Sequence, residues 1–126
     1  MCNNISHFPL DTATLLEYNY AIFFQLLWLL YWKMRKYAAS SFLHTDLAQR
    51  LKEAGIENVL VSGVKTNVCC RHTTVDSASH GFRTILVSDM LATNTQELQD
   101  FHLKELGHQY ATPMTFEEVC ELLDAG

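Results

Sequence analysis

A pair of adjacent cysteines, Cys69 and Cys70, follows the apolar run 59–62 and Gly63. A helix is expected to begin here, and the unpaired N–H groups and dipole of a helix N-terminus favour negative charge. The thiolate is the reactive form of cysteine, and the same N–H groups can bind a developing oxyanion. The placement therefore predicts that Cys69 is a nucleophile that attacks a carbonyl carbon. A buried structural cysteine is the alternative interpretation.

The side chains around Cys69 are expected to have less direct roles. Cys70 points about 100° further round the helix, which favours packing in the core. His72 is predicted to be a helix-face residue rather than the catalytic base, and Thr73 is predicted to support the turn or its packing. Asp76 is predicted to be structural. Paired metal-ligand spacings are absent from Cys69-Cys70-x-His72, so the sequence predicts neither a metal site nor a cofactor.

From about residue 36 onward, helical and strand-like segments alternate. The expected helices are 45–55, 67–80, 94–107 and 115–123, and the expected strands are 59–62, 82–89 and 109–113. Thr45 is the expected first N-cap, Gly107 the expected end of the third helix, and Thr115 with Glu118 a capping box. Strands that alternate with helices predict an α/β fold with a parallel sheet. The side chains expected to face the core are Leu47, Leu51, Ala54, Leu98, Phe101, Leu106, Val119, Leu122 and Leu123.

Composition restricts the class of protein. A chain of 126 residues with 48% hydrophobic residues suits one globular domain, and a formal net charge of -5 argues against a nucleic-acid partner. The four cysteines lack the spacing of a disulfide framework, so free thiols in a reducing compartment are expected. No positively charged segment precedes an apolar run at the N-terminus, which argues against a signal peptide. The sequence therefore predicts a cytoplasmic protein without a nucleic-acid partner.

Residues 1–35 differ from the rest and form an atypical N-terminal segment ahead of the domain predicted for residues 36–126. Within this segment the run 21–32 is apolar on every side, so its period does not distinguish a helix from a strand. It is about 12 residues long, too short for a membrane span, which needs about 20. An unpacked run of this kind would leave a large apolar patch and promote homo-oligomers or aggregation.

The stretch 55–89 resembles the isochorismatase-like cysteine hydrolases. The residues that carry the resemblance are Gly63, Val64, Thr66, Asn67, Cys69, Thr73, Asp76, Gly81 and Asp89. Cys70, Ser77 and Phe82 depart from the residues usual in the family. The segment 36–47 is similar to a second family motif, with Lys36, Ser40, Phe42, Thr45, Asp46 and Leu47 in register.

This resemblance implies a three-layer α/β/α, Rossmann-like fold with a six-stranded parallel sheet. It implies a Cys-Lys-Asp triad in which Cys69 attacks an amide or related carbonyl, forms a thioester that is then hydrolysed, and is assisted by Lys36. A non-prolyl cis peptide is implied at Val64–Lys65, with backbone N–H groups near Val68 and Cys69 binding the oxyanion. Thr66 and Asn67 of the motif are expected to support this turn.

The third member of the triad is missing from the sequence. In the family an Asp ends the first strand in a pattern like Leu-Leu-x-Ile-Asp-x-Gln, which is not found here, and the metal-binding Asp-x-His pattern of the nicotinamidase branch is also not found. The one aspartate before Lys36 is Asp11, and no strand-like run precedes it. The sequence thus predicts an N-terminally truncated domain and leaves three interpretations open. The first is a small cysteine hydrolase that acts on an amide or related bond of a small-molecule substrate. The second is a catalytically impaired or inactive truncated homologue that either binds partners or is unstable. The third is a membrane-associated peptide that acts through its apolar segment, and the shortness of that segment argues against it.

Overall fold

The computed structural model describes Tyr20–Phe24 and residues 38–125, and the fold is described for these residues. The strands are β1 (Tyr20–Phe24), β2 (Asn58–Val64), β3 (Arg83–Ala92) and β4 (Thr112–Met114). The helices are α1 (Leu47–Glu53), α2 (Arg71–Ser79), α3 (Gln96–Gln109) and α4 (Phe116–Ala125). A π-helical turn, Thr66–Cys70, runs directly into α2. The predicted alternation of strands and helices is confirmed.

The described strands form one parallel sheet in the order β1-β2-β3-β4. Val61 pairs with Leu86, but Gly63 pairs with Leu91, so β3 accommodates extra residues where β2 approaches its end. This irregularity lies just before the turn that carries the two cysteines. The predicted strand 82–89 is accordingly longer in the structure and continues to Ala92.

Alternate residues of the central strands face opposite layers, as expected for strands that are covered on both sides. Val59, Val61 and Leu86 pack into a larger cluster with Leu51 of α1 and Leu106 of α3. On the opposite face, Leu60, Ile85 and Val87 pack against Val119 of α4. Helices therefore lie on both faces of the sheet, which confirms the three-layer α/β/α architecture.

Two predicted core positions are wrong. Phe101 is 62% exposed and Leu122 is 40% exposed. In α3 the predicted burial of Leu106 is confirmed, since it is fully buried, and Leu103 also packs against the larger cluster. The helical spacing of three to four residues between buried apolar side chains holds for α3. Phe101, however, lies on the face of this helix that no other described layer covers.

The predicted helix ends are confirmed in part. Gly55 has φ +72 immediately after α1, a conformation that glycine adopts without steric cost. Gly107, in contrast, does not end α3, which continues to Gln109. A Cβ at Gly107 would lie 2.8 Å from Pro113 Cγ, so the glycine permits close packing against β4 rather than terminating the helix.

The capping box of α4 forms as predicted. The N–H of Glu118 donates to Thr115 Oγ1 over 3.2 Å, and the N–H of Thr115 donates to Glu118 Oε2 over 2.7 Å. Asp89, a residue of the family motif, adds to this cap because its carboxylate accepts from the Phe116 N–H. These contacts satisfy N–H groups that the first turn of a helix leaves unpaired.

Some expectations for the N-terminal segment and the cysteines can be compared with the structure. Tyr20–Phe24 form a strand beside β2, whereas Asp11 and Lys36 lie outside the described residues. The division of the chain at residue 35, the oligomeric state and the cytoplasmic location stay predictions. Cys69 and Cys70 are free thiols as expected, but Cys120 is disulfide-bonded, so the expectation of four free thiols is wrong. Over the described ranges, no helix combines the length and apolarity needed to cross a bilayer.

Candidate active site

The candidate site begins where β2 ends. The peptide bond Val64–Lys65 is cis, which is the geometry that the sequence resemblance implies. Lys65 has extended backbone angles, and its carbonyl oxygen accepts hydrogen bonds from the N–H groups of Val68 (3.1 Å) and Cys70 (3.2 Å). The chain thus reverses from strand to helix within a few residues and places Cys69 in the turn at the carboxyl end of the sheet, where ligands bind in open α/β folds.

The two cysteines have different surroundings. Cys69 is half-buried, so solvent reaches part of the residue. Cys70 is 1% exposed, and its thiol lies 3.9 Å from the carbonyl oxygen of Ser62. The prediction that Cys70 packs in the core is confirmed, and Cys69 is the cysteine of this pair that a substrate could reach.

Thr66 and Asn67, at the start of the turn, are each held by a side chain from a later part of the chain. The Thr66 hydroxyl, which is fully buried, donates to Gln99 Oε1 over 2.7 Å. Gln99 in turn donates from Nε2 to the carbonyl oxygen of Leu91 over 3.1 Å. The Thr93 hydroxyl donates to Asn67 Oδ1 over 2.6 Å. These bonds connect the turn to α3 and to the end of β3.

Thr73 connects the helix behind the turn to the segment that precedes α1. Its Oγ1 accepts from the Ser41 N–H over 3.1 Å, and both residues are buried. Phe42, which follows Ser41 in the chain, packs against Phe82 with ring centroids 6.0 Å apart. Thr73 therefore does support packing at this position. Lys36 lies outside the described residues, so its role beside Cys69 stays a prediction.

A charged cluster lies at the start of α2. Arg71 donates to both carboxylate oxygens of Glu105, over 2.7 and 3.3 Å, and His102 Nδ1 lies 2.9 Å from Glu105 Oε2. The hydrogen bond from Arg71 and the one from His102 lower the pKa of Glu105 to about 2. Glu105 in turn raises the pKa of Arg71. The cluster joins α2 to α3 as an ion pair and leaves Glu105 poorly suited to accept a proton near neutral pH.

One of the backbone N–H groups predicted to bind the oxyanion is already hydrogen-bonded within the turn. The N–H of Val68 is engaged by Lys65, so in this conformation it is not available to a substrate. The side chains of Val64 and Val68 are exposed, which leaves apolar surface at the mouth of the site. His72 is exposed and its Nδ1 lies 2.6 Å from the Val68 carbonyl oxygen, in agreement with its prediction as a helix-face residue.

One depression in the described surface lies away from this site. It has a volume of about 540 Å³ and is lined at the opposite, amino end of the sheet, where Asn58, Arg83 and Thr112 begin their strands. It is open, and its lining includes neither of the free cysteines. Cys69 and this depression therefore lie at different ends of the sheet, and the candidate site is placed at Cys69 because of the motif that surrounds it.

Sequence reasoning missed Gln99, Thr93 and Ser41. Their contacts with the turn and with α2 join residues 26 to 33 positions apart. Neither periodicity nor local motif spacing gives a signal for such pairs. Within the described ranges, no group of three or more His, Cys, Asp or Glu side chains could hold a metal ion.

Comparison with known proteins identifies relatives of this chain. The family model described as "Isochorismatase domain" matches residues 32–118. Maleamate amidohydrolase of Pseudomonas putida is 30% identical over 90 residues, which cover 71% of this chain and 42% of that protein. Nicotinamidase 3 of Arabidopsis thaliana is 35% identical over 78 residues, or 62% of this chain and 39% of that protein.

A solved structure shows a related fold. An isochorismatase-like hydrolase from Alkaliphilus metalliredigens is 37% identical, with a TM-score of 0.66, and the match covers 69% of this chain and 50% of that chain. The chain thus spans less than half the length of the curated relatives described above and half the length of this structural relative.

Proposed function

The chain belongs to the isochorismatase family, and from that premise we propose that it is a cysteine-dependent hydrolase that cleaves an amide or related C–N bond in a small molecule. The observation that carries the proposal is the half-buried free thiol of Cys69 in the turn that follows the cis bond Val64–Lys65. Relatives described as an amidohydrolase and a nicotinamidase support the choice of an amide substrate.

In the proposed reaction the Cys69 thiolate attacks the amide carbonyl carbon and forms a tetrahedral intermediate. Backbone N–H groups of the turn, other than those of Val68 and Cys70 that Lys65 engages, stabilise its oxyanion. The C–N bond then breaks, the nitrogen leaves as ammonia or an amine after it gains a proton, and a thioester remains on Cys69. Water hydrolyses the thioester, which releases a carboxylic acid and regenerates the thiol.

Lys36 is proposed to stabilise the thiolate and the negatively charged intermediate. An ammonium group close to sulfur favours the charged form of the thiol. The proton acceptor of the reaction is not assigned among the described residues. Glu105 is bound to Arg71 and is not proposed for this role.

A second function is favoured by the composition of β1. Tyr20–Phe24 occupy the position beside β2 but include no carboxylate, whereas the family resemblance implies a first strand that ends in Asp. Members of a catalytic triad act as a unit, so loss of one lowers the rate by several orders of magnitude. On this second proposal the chain is an inactive homologue that retains the fold and binds a partner.

The two functions are separated by ammonia release from small primary amides, including nicotinamide and maleamate. We expect the purified chain to release ammonia and Cys69→Ser to lower kcat/KM by about 1,000-fold or more. Cys70→Ala, one position away in the core, is the matched control and should retain activity if the variant remains folded. Turnover that persists in Cys69→Ser contradicts the proposed mechanism, and no turnover by the wild-type chain favours the inactive homologue.

A further inference from the structure

The turn that carries Cys69 is connected to α3 through one glutamine side chain. Gln99 binds the first residue of the turn, Thr66, and also the carbonyl oxygen of Leu91 at the end of β3. We propose that Gln99 is a positioning residue that holds the turn in the conformation in which Cys69 is reactive, and that Thr93 assists it. This inference rests on the proposed function of Cys69 as nucleophile.

The hydrogen bonds of Gln99 fix the orientation of its amide. Its Oε1 accepts from the Thr66 hydroxyl over 2.7 Å, while its Nε2 donates to Leu91 over 3.1 Å. A side chain that only donates or only accepts cannot make both bonds. Thr66 is fully buried, so loss of its partner leaves a hydroxyl without solvent to replace it.

The position of Leu91 makes this connection important for the turn. Because of the register shift, Leu91 pairs with Gly63, directly before the cis bond Val64–Lys65, and Thr66 follows directly after that bond. Gln99 therefore bridges from the strand opposite Gly63 to the residue that starts the turn. One side chain of α3 is thus hydrogen-bonded both to the residue after the cis bond and to the backbone that pairs with the residue before it.

Thr93 holds the next residue of the turn. Its hydroxyl donates to Asn67 Oδ1 over 2.6 Å. Thr66 and Asn67 precede Cys69 by three and two positions, so their side-chain bonds restrict the rotation of the backbone that carries the thiol. Small displacements of a reacting group are sufficient to lower a rate by about 100-fold, which makes this restraint relevant to reactivity as well as to folding.

The alternative is that Gln99 contributes only to the stability of the fold. In that case its loss would lower the free energy of unfolding but would not change the reactivity of Cys69 in the folded population. Thiol reactivity, measured in the absence of denaturant, therefore distinguishes positioning from general stabilisation.

The test compares Gln99→Met with Gln96→Met in the full chain. Gln96 lies on the same helix, and its side chain bonds only Asp100 on the exposed face among the contacts described. We expect Gln99→Met to lower the rate of Cys69 alkylation by iodoacetamide at pH 7 by about tenfold. Gln96→Met should stay within about twofold of wild type. Fragment-ion mass spectrometry assigns the adduct to Cys69 rather than Cys70.

A second pair of variants tests the contribution of Thr93 and guards against a Gln99 variant that fails to fold. Thr93→Val removes the donor to Asn67 and should lower the Cys69 rate by about threefold, whereas Thr93→Ser keeps a hydroxyl and should restore it. Urea unfolding of each variant confirms that the folded form is being compared. A Cys69 rate that is unchanged in both Gln99→Met and Thr93→Val overturns the inference, as does an equal loss in Gln96→Met.

The same assay distinguishes failure of this inference from failure of the proposed function. If wild-type Cys69 reacts no faster than glutathione at pH 7, its thiol is not activated, and both the proposed function and the inference are wrong. If wild-type Cys69 is activated but insensitive to Gln99 and Thr93, the inference alone is wrong.

Discussion

At the amino end of the sheet, α1 and α2 reach the next strand through glycine, whereas at the carboxyl end the turn before α2 is held by side-chain hydrogen bonds. Gly55 and Gly81 adopt φ values of +72 and +88 after α1 and α2, and backbone bonds such as Ile56 N–H to Leu51 O close these turns. At the other end, Thr66, Asn67 and Thr73 bind side chains or backbone far along the chain.

This difference agrees with the proposal that the reaction takes place at the carboxyl end of the sheet. Glycine turns satisfy the backbone with little dependence on distant residues. The carboxyl end contains buried and partly buried polar contacts between residues 26 to 33 positions apart, and a buried polar group that loses its partner is destabilising. Such contacts are expected where a side chain must be held in one orientation.

The largest effect predicted from this comparison concerns two adjacent threonines in α2. Thr73→Val leaves the buried N–H of Ser41 without its acceptor and should lower the free energy of unfolding by about 2 kcal/mol. Thr74→Val is the matched control, because the Thr74 hydroxyl donates only to the Cys70 carbonyl oxygen within the same helix. Its loss should cost less than about 1 kcal/mol.

Urea unfolding of the two valine variants and of Thr73→Ser measures this difference. The serine variant keeps an oxygen at the position of the acceptor and should recover most of the stability. Equal destabilisation by Thr73→Val and Thr74→Val would mean that the connection to Ser41 contributes no more than a local helix contact, and the distinction between the two ends of the sheet would weaken.

A smaller effect is predicted at the amino end, where Gly107 approaches Pro113. Alanine favours a helix over glycine by about 1 kcal/mol, but its Cβ would lie 2.8 Å from Pro113 Cγ and 3.1 Å from Cδ. Overpacking against a rigid ring costs about 1–3 kcal/mol, so Gly107→Ala should destabilise the chain by about 1 kcal/mol net. Thermal unfolding measures the change.

The stability change caused by Gly107→Ala should reverse its sign when the Pro113 ring is removed. In a Pro113→Ala background the same glycine substitution should stabilise the chain, because the helix propensity remains and the overlap does not. If Gly107→Ala destabilises equally in both backgrounds, then Pro113 is not the cause and the close approach of α3 to β4 is not what requires a glycine.

The sequence predicted the parts of the fold that depend on local patterns. The alternating strands and helices, the capping box at Thr115 and the burial of Cys70 follow from residue periodicity and short-range hydrogen bonding, and they are confirmed. Phe101 and Leu122 were predicted wrongly because an apolar residue at helical spacing faces the core only if another layer lies above it. Gly107 was wrongly predicted to end α3, because its close contact with Pro113 leaves no local signal in the sequence.

The candidate site was predictable to a similar extent. The turn at Cys69 and the cis bond were expected from the motif, since both are encoded in a few consecutive residues. Gln99 and Thr93 were not expected, because their positions opposite Thr66 and Asn67 depend on the extra residues in β3. A register shift cannot be read from periodicity, so contacts that depend on one require the structure.

The smallest predicted effect is the pH dependence of the ion pair that joins α2 to α3. The pKa of Glu105 is lowered from 4.5 to about 2 in the folded chain, chiefly by the hydrogen bond from Arg71. The carboxylate therefore contributes stability above about pH 4.5, and this contribution is lost as the pH falls toward 2. Since the Glu105 side chain is 27% exposed and partly screened by solvent, the contribution should be below about 1 kcal/mol.

The difference in unfolding free energy between wild type and Glu105→Gln isolates this effect from the titration of other carboxylates. The difference should shrink between about pH 4.5 and 2, because only the wild-type chain loses a charge at this position. High salt should reduce it at neutral pH, as expected for a partly exposed pair. A difference that does not change between these pH values would show that Glu105 acts through packing rather than as the charged partner of Arg71.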